Sequence, residues 1–168
     1  ENMLSAVVRA GADPAQVGKA ARSTPDPTWT ALARADDLAA FAARHEQAGR
    51  GYVIGGSAWD LTNERRVDRG QLDLLVIDEA GQFSLAKTLA VSVAAHRLLL
   101  LGDPQQLPQV STGVHAQPVD ESALGWLADG EPVLPPHLGY FLETTRRMHP
   151  RLTAVVSDLA YDGALSSH

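Results

Sequence analysis

The chain has 168 residues, of which 45% are hydrophobic and 20% charged, a composition typical of one soluble core with little left for a second complete domain. The absence of cysteine excludes disulfides, thiolate metal sites and cysteine nucleophiles. No apolar run approaches the ~20 residues of a membrane span, so we expect a cytoplasmic protein with no membrane partner. The net charge of −6 argues against an extended electrostatic coat for nucleic acid, although it permits a local basic channel.

The first third of the chain is predicted to be mainly helical. A helix over residues 1–10 ends at Gly11, so we expect the chain to begin inside a helix. The prolines in residues 22–28 indicate an exposed linker, and an Ala-rich region of one or two helices follows as far as Gly49. The predicted buried face of that region consists of Leu38, Phe41, Ala42 and His45. We expect His45 to lie at the core boundary without a catalytic role.

A short strand, Tyr52-Val53-Ile54, is predicted to lead into Gly55-Gly56-Ser57. Two glycines permit close approach of a main chain, and the hydroxyl of Ser57 can contact a phosphate. A simple strand-to-loop turn explains these residues equally well. Trp59 is expected to pack in the core, with stacking on a nucleic-acid base as the alternative. The charged loop over residues 63–69 is expected to be a solvated face.

The segment that organises the rest of the chain is Leu74-Leu75-Val76-Ile77. Its four large aliphatic residues predict a strand buried on both faces, as in the middle of a parallel sheet. The strand stops at two adjacent carboxylates, Asp78 and Glu79. In nucleotide hydrolases such a pair lets the Asp hold Mg²⁺ and the Glu act on the attacking water. A strand that simply leaves the sheet through an acidic turn is the alternative.

A second apolar run, Arg97 to Leu101, ends at Gly102-Asp103-Pro104-Gln105-Gln106. Between the two runs, Ser84 can cap a helix in which Leu85, Leu89 and Val93 recur at helical spacing. Strand, helix and strand form a βαβ unit, which brings the carboxyl ends of both strands to one edge of a parallel sheet. The spacing therefore predicts a polar site at that edge.

The last third of the chain is less regular. A long polar segment over residues 109–121 is followed by a short helix, and the prolines of residues 130–136 are the best candidate for a domain boundary. Beyond it we predict a strand over Tyr140-Phe141-Leu142 and a helix over residues 150–159. The predicted buried face of this helix consists of Leu152, Val155, Val156 and Leu159.

Three motifs in order resemble superfamily 1 helicases. Asp78-Glu79-Ala80-Gly81-Gln82 resembles their Walker B motif, and Gly102-Asp103-Pro104-Gln105-Gln106-Leu107-Pro108 their motif III. Leu142-Glu143-Thr144-Thr145-Arg146-Arg147-Met148-His149-Pro150 resembles motif IV of the branch that contains the nonsense-mediated-decay helicase. Neighbouring sequence resembles bacterial proteins that join such a helicase to a RecB-like nuclease.

The resemblance implies an α/β fold with a partial RecA-like (P-loop NTPase) parallel sheet flanked by helices. It places the C-terminal part of the first motor domain in residues 1–135 and the start of a second RecA-like domain in residues 136–168. The Gly-Lys-Ser/Thr phosphate loop occurs nowhere in the sequence, and Gly18-Lys19 is followed by Ala20. We therefore expect a fragment that lacks the upstream Walker A segment and the rest of the second motor domain.

The resemblance also implies roles for individual residues, with ATP and Mg²⁺ as cofactors. Asp78 would bind Mg²⁺ through its water shell, Glu79 would be the catalytic base, and Gln106 would sense the γ-phosphate. Arg147 would act as an arginine finger. Many relatives have an aromatic residue before that arginine, and this chain has Arg146, which leaves base preference open.

Single-stranded nucleic acid is the implied partner, and the resemblance favours DNA over RNA. Gly56, Ser57 and His115 are the residues that would contact it. The isolated chain is expected to be inactive, and the parent would also carry the RecB-like nuclease. The alternative is a RecA-like module that binds nucleic acid or protein without catalysis. A metal-dependent nuclease in this chain has little support, because too few carboxylates converge.

Overall fold

A computed structural model of the chain describes residues 2–21, 28–106, 115–116, 118–119 and 121–168. Predictions that fall on residues 22–27, 107–114, 117 and 120 lie outside the described residues, including the linker and the end of motif III. The described residues form short parallel strands and helices, which confirms the α/β class. None of the described helices combines the length and hydropathy needed to cross a membrane. The chain divides into two compact units: Glu1–Leu75 with Ala90–Arg97, and Val76–Leu89 with Leu98–His168.

The first unit contains a three-stranded parallel sheet with the strand order β2-β1-β3. In its register Gly18 of β1 pairs with Thr30 of β2 and with Ile54 of β3. Its helices and strands are α1 (Asn2–Arg9), β1 (Val17–Lys19), β2 (Thr30–Ala31), α2 (Ala35–Gln47), β3 (Val53–Gly55) and α3 (Ala58–Leu61).

The predicted buried face of α2 is confirmed. Leu38, Phe41, Ala42 and His45 are all buried, and the ring of His45 lies 4.6 Å from that of Phe41. His45 is therefore a core residue and not the boundary residue we expected. Asp37 fixes the start of the helix, because its carboxylate accepts a hydrogen bond from the Arg34 backbone N–H at 2.9 Å.

Two other predictions for this unit are wrong. Residues Thr30–Ala31 form a strand within the segment predicted to be helical, because they pair with β1 in the sheet. Trp59 is 85% exposed instead of packed in the core, since it lies on the outer side of a helix only one turn long.

The predicted βαβ unit is present as β4 (Leu75–Ile77), α4 (Leu85–Ser92) and β5 (Leu98–Leu100). β4 and β5 are neighbours in a two-stranded sheet. The Leu75 N–H donates to the Arg97 carbonyl at 2.9 Å, and the Leu101 N–H donates to the Ile77 carbonyl at 2.9 Å. The pairing advances in the same direction on both strands, so they run parallel.

The expected burial of this unit is only partly correct. Leu75 and Ile77 are buried, but Leu74 and three leucines of the second apolar run are more than 40% exposed, namely Leu98, Leu99 and Leu101. A strand is buried on both faces only where other elements cover both, and among the described residues β5 has no such cover. The apolar spacing does not mark the buried face of α4, because Leu89 and, just past the helix end, Val93 are exposed while Thr88 and Val91 are buried.

The remaining elements of the second unit are α5 (Ala123–Ala128), β6 (Thr144–Thr145), α6 (Pro150–Ala160) and β7 (Ser166–Ser167). Ser122 caps α5 by accepting a hydrogen bond from the Gly125 N–H at 2.9 Å. Pro150 occupies the first turn of α6, where its missing N–H costs nothing. β6 and β7 pair in parallel, with Thr144 opposite Ser166.

Two predictions fail in this region. Tyr140-Phe141-Leu142 does not form a strand; the ladder instead uses Thr144 and Thr145, which have β7 as a partner. Three of the four residues of the predicted apolar stripe of α6 are exposed, with Leu159 at 81%, and the buried residues of the helix are Thr153 and Ser157. Thr153 can be buried because its hydroxyl donates to the His149 carbonyl at 3.2 Å.

The burial of α4 can be tested with two valines, Val91 within the helix and Val93 just past its end. We expect Val91→Ala to lower the free energy of unfolding by about 1–3 kcal/mol, because it leaves a cavity in a packed site. Val93→Ala removes the same atoms from an exposed side chain and should change it by less than about 0.5 kcal/mol. Urea denaturation of both variants measures the difference. Equal losses would mean that Val91 is not packed more tightly than Val93 in solution.

Candidate active site

The site is built where the turns after β4 and β5 meet, main chain against main chain. The Ala80 N–H donates to the Leu101 carbonyl at 2.8 Å, which continues the pairing of the strands beyond their ends. A Cβ atom added at Gly81 would lie 2.1 Å from the carbonyl oxygen of Asp103. A Cβ at Gly102 would lie 2.8 Å from the Ala80 nitrogen. Both positions therefore require glycine for the two turns to approach this closely.

Glu79 holds an unusual backbone conformation at this point. Its φ of 55° and ψ of 40° lie in the left-handed region, which costs a residue with a side chain about 1–2 kcal/mol. The turn is stabilised by the buried Ala80 that follows and by a hydrogen bond from the Glu79 N–H to Asp78 Oδ1 at 3.2 Å. The carboxylates of Asp78 and Glu79 are exposed, so both are available to a ligand.

Asp103 and Gln106 lie on the facing turn. Oδ1 of Asp103 accepts a hydrogen bond from the Gln105 N–H at 2.9 Å, and its main-chain carbonyl accepts one from the Gln106 N–H at 3.3 Å. The side chain of Gln106 is exposed. The backbone pairing of the two turns thus brings Asp78 and Glu79 to the same strand edge as Asp103 and Gln106.

The carboxylates fit a hydrated Mg²⁺ ion better than a metal held by protein ligands alone. Among the residues that the structure describes, no group of three or more His, Asp or Glu side chains could hold a metal. Mg²⁺ keeps several waters and is commonly bound through one or two carboxylates together with substrate phosphates. An exposed Asp78 beside Glu79 satisfies that requirement only when a phosphate ligand supplies the remaining contacts.

Arg147 and His115 lie in the same unit as the two turns. Arg147 follows β6, its side chain is exposed, and its backbone N–H donates to Thr145 Oγ1 at 3.2 Å. The neighbouring Arg146 and the more distant His115 are also exposed. The guanidinium of Arg147 is therefore accessible to a ligand.

Gly56 and Ser57 belong to the first unit, where they start α3. The Ser57 hydroxyl donates to Asp60 Oδ2 at 2.7 Å, and the Ser57 N–H donates to the same oxygen at 2.8 Å. A Cβ at Gly56 would lie 2.9 Å from the Cβ of Asp60. This capping interaction gives both residues a structural role beside the predicted contact with nucleic acid.

Sequence reasoning missed two features of the site. The first is the pair of close-packed glycines, which a Gly within four residues of each strand end could have indicated. The second is Tyr161, whose hydroxyl donates a hydrogen bond to Asp103 Oδ2. The two residues are 58 positions apart, and no local pattern in the sequence connects them.

Comparison with known proteins supports a relationship to helicases. Residues 57–112, about a third of the chain, match the AAA domain family, and this segment includes both turns of the site. The chain is also similar to the protein described as 5'-3' DNA helicase ZGRF1 from the mouse (Mus musculus), with 31% identity over 97 residues. That alignment covers 55% of this chain and 5% of the mouse protein, so the chain spans about a twentieth of the length of its relative.

The close approach of the two turns predicts a specific cost for a methyl group. Gly81→Ala should lower the free energy of unfolding by about 1–3 kcal/mol or more, because the added Cβ meets a main-chain oxygen that cannot rotate away. Gly51→Ala is the matched control, since a Cβ there meets nothing within 4 Å. Chemical denaturation followed by circular dichroism measures both. A Gly81→Ala variant as stable as the control would contradict this packing.

The conformation of Glu79 predicts that glycine is preferred there to alanine. Glu79→Gly should have a free energy of unfolding about 0.5–1 kcal/mol above that of Glu79→Ala, because the relief of strain exceeds the entropy that glycine loses on folding. Both variants lack the carboxylate, so the difference between their free energies of unfolding, measured by chemical denaturation, reports the backbone conformation alone. If Glu79→Ala is equally stable or more so, the left-handed conformation is absent in solution.

Proposed function

We propose that this chain is part of an ATP-dependent helicase or translocase motor of superfamily 1. The observation that carries the proposal is the meeting of the two turns, which sets Asp78 and Glu79 beside Asp103 and Gln106 at one sheet edge. A pair of carboxylates and a facing polar turn at the carboxyl ends of parallel strands is the arrangement expected for nucleotide chemistry. The similarity to the AAA domain family over the same residues supports it.

In this motor the residues of the chain would have distinct tasks. Asp78 would accept hydrogen bonds from the waters of a bound Mg²⁺, which supplies charge neutralisation for the phosphates of ATP. Glu79 would take the proton of the attacking water, and Gln106 would contact the γ-phosphate and transmit its presence to the nucleic-acid loops. Arg147, as an arginine finger, would stabilise charge in the transition state, a role worth about 10³ to 10⁵ in rate in GTPases.

We further propose that hydrolysis needs a longer protein of the branch described above, in which a Walker A loop precedes this segment and a RecB-like nuclease is joined to the motor. The exposed leucines of β5 and the exposed apolar residues of α6 support this proposal. Apolar surface of this kind is normally buried against other elements, which a longer protein would supply. The division into a first motor domain over residues 1–135 and a second from residue 136 stays a prediction.

Single-stranded DNA is the proposed partner. A relative described as a DNA helicase supports DNA over RNA. The indole of Trp59 supports single strands, because it is 85% exposed and presents a flat face on which a base can stack. Gly56, Ser57 and His115 remain the candidate contacts to the phosphate backbone.

The proposal is tested by ATP binding with Mg²⁺ in a calorimeter. We expect no binding by the 168-residue chain and micromolar binding by a version extended upstream through the Gly-Lys-Ser/Thr loop. In the extended protein Glu79→Gln should retain ATP affinity but lower the hydrolysis rate at least 100-fold, as the loss of a general base implies. Quench-flow measurement of a single turnover separates binding from hydrolysis.

The matched control is Glu64→Gln, which removes an exposed carboxylate paired with Arg69 and should leave the rate unchanged. An extended protein that binds single-stranded DNA but neither binds nor hydrolyses ATP would support the alternative, a non-catalytic binding module. Micromolar binding of ATP by the short chain would mean that its phosphate site is built from other residues.

A further inference from the structure

A hydrogen bond connects the end of α6 to the turn that carries Gln106. Tyr161 closes the helix, with its N–H donating to the Ser157 carbonyl at 2.9 Å, and its ring lies 5.8 Å from that of Phe141. The backbone and the ring of Tyr161 are therefore each held by a contact of their own, in addition to the hydrogen bond from its hydroxyl to Asp103. Burial, followed by the hydrogen bond to Asp103, raises the pKa of Tyr161 to about 12. The phenol is therefore protonated, and able to donate, at neutral pH.

Asp103 uses each carboxylate oxygen for a different purpose. Oδ2 accepts the hydrogen bond from Tyr161, and Oδ1 accepts the one from the Gln105 N–H at 2.9 Å. The same residue's main-chain carbonyl is the oxygen that would clash with a side chain at position 81. Asp103 consequently links the turn after β4, the turn after β5 and the end of α6.

We propose that Tyr161 is a positioning residue for the segment 102–106. Its hydroxyl fixes the carboxylate of Asp103, and the other oxygen of that carboxylate fixes the backbone on which Gln106 stands. Both hydrogen bonds need the same orientation of the Asp103 carboxylate. If the bond from Tyr161 is lost, the carboxylate is freer to rotate, and the bond from the Gln105 N–H is weakened. Movement of α6 is thereby transmitted to Gln106, a consequence that rests on the proposed function of this residue toward the γ-phosphate.

The first test needs no ATP and uses the 168-residue chain. Tyr161→Phe keeps the ring and removes only the oxygen, and hydrogen exchange of the Gln105 amide is measured by NMR. We expect exchange to accelerate about tenfold, the size of effect expected when a hydrogen bond to a charged group is lost. Tyr140→Phe is the matched control, because Tyr140 is 96% exposed, and it should leave the exchange rate unchanged.

Asp103→Asn and the double variant complete a cycle of mutations. If Tyr161 acts through Asp103, the double variant should exchange no faster at Gln105 than the faster of the two single variants. Unchanged exchange in Tyr161→Phe, or full additivity in the double variant, overturns the proposal. Thermal unfolding of each variant verifies that the comparison is made between folded proteins.

The second test uses the longer protein with its phosphate loop. Tyr161→Phe should lower kcat for ATP hydrolysis about tenfold and leave KM for ATP unchanged, since the lost interaction orients a group without binding substrate. Faster exchange at Gln105 with an unchanged kcat would overturn the transmission from α6 to Gln106. If the unmutated longer protein does not hydrolyse ATP, the proposed function fails, and the exchange experiment alone then decides whether Tyr161 positions the turn.

Discussion

The contact between two stretches of main chain, one after β4 and one after β5, is the constraint on which the candidate site depends. Side chains can adjust to one another, but a carbonyl oxygen facing an amide and a Cα atom cannot move without its strand. Gly81 and Gly102 allow this contact because neither has a Cβ atom. The positions of Asp78, Glu79 and Gln106 follow from it, since each lies within a few residues of one of these glycines.

The same contact explains how a strained residue persists at the site. Glu79 stays in the left-handed region because the residue after it is fixed in place. Ala80 is fully buried, and its N–H donates a hydrogen bond to the Leu101 carbonyl. Strain of this kind, worth about 1–3 kcal/mol, is retained where surrounding structure determines the backbone. A conformation that directs an acidic side chain into solvent at a sheet edge brings no packing advantage of its own, which supports a functional reason for it.

Sequence reasoning predicted the βαβ unit, the buried face of α2 and the start of α6, because apolar periodicity and capping residues are local signals. It did not predict β1 and β2, which at three and two residues are too short for any period to appear. It also failed on the face of α6, and the apolar spacing in α4 does not mark the residues that this helix buries. The hydroxyls of Thr88 and Thr153 donate hydrogen bonds to main-chain carbonyls four residues earlier, so both side chains can be buried. The polar face of a helix is therefore not always the exposed one.

Tyr161 was beyond sequence reasoning for a different reason. Its partner, Asp103, is distant in the chain, and a tyrosine at the end of a helix has no pattern that distinguishes an anchor from a surface residue. Within the second unit, Tyr161 nevertheless belongs to the same network as the glycine contact, since Asp103 takes part in both. In the proposed motor, a change at the nucleotide would have to reach other elements of the fold. A carboxylate that is hydrogen-bonded on one side to the polar turn and on the other to a helix end would be a direct physical route for that transfer.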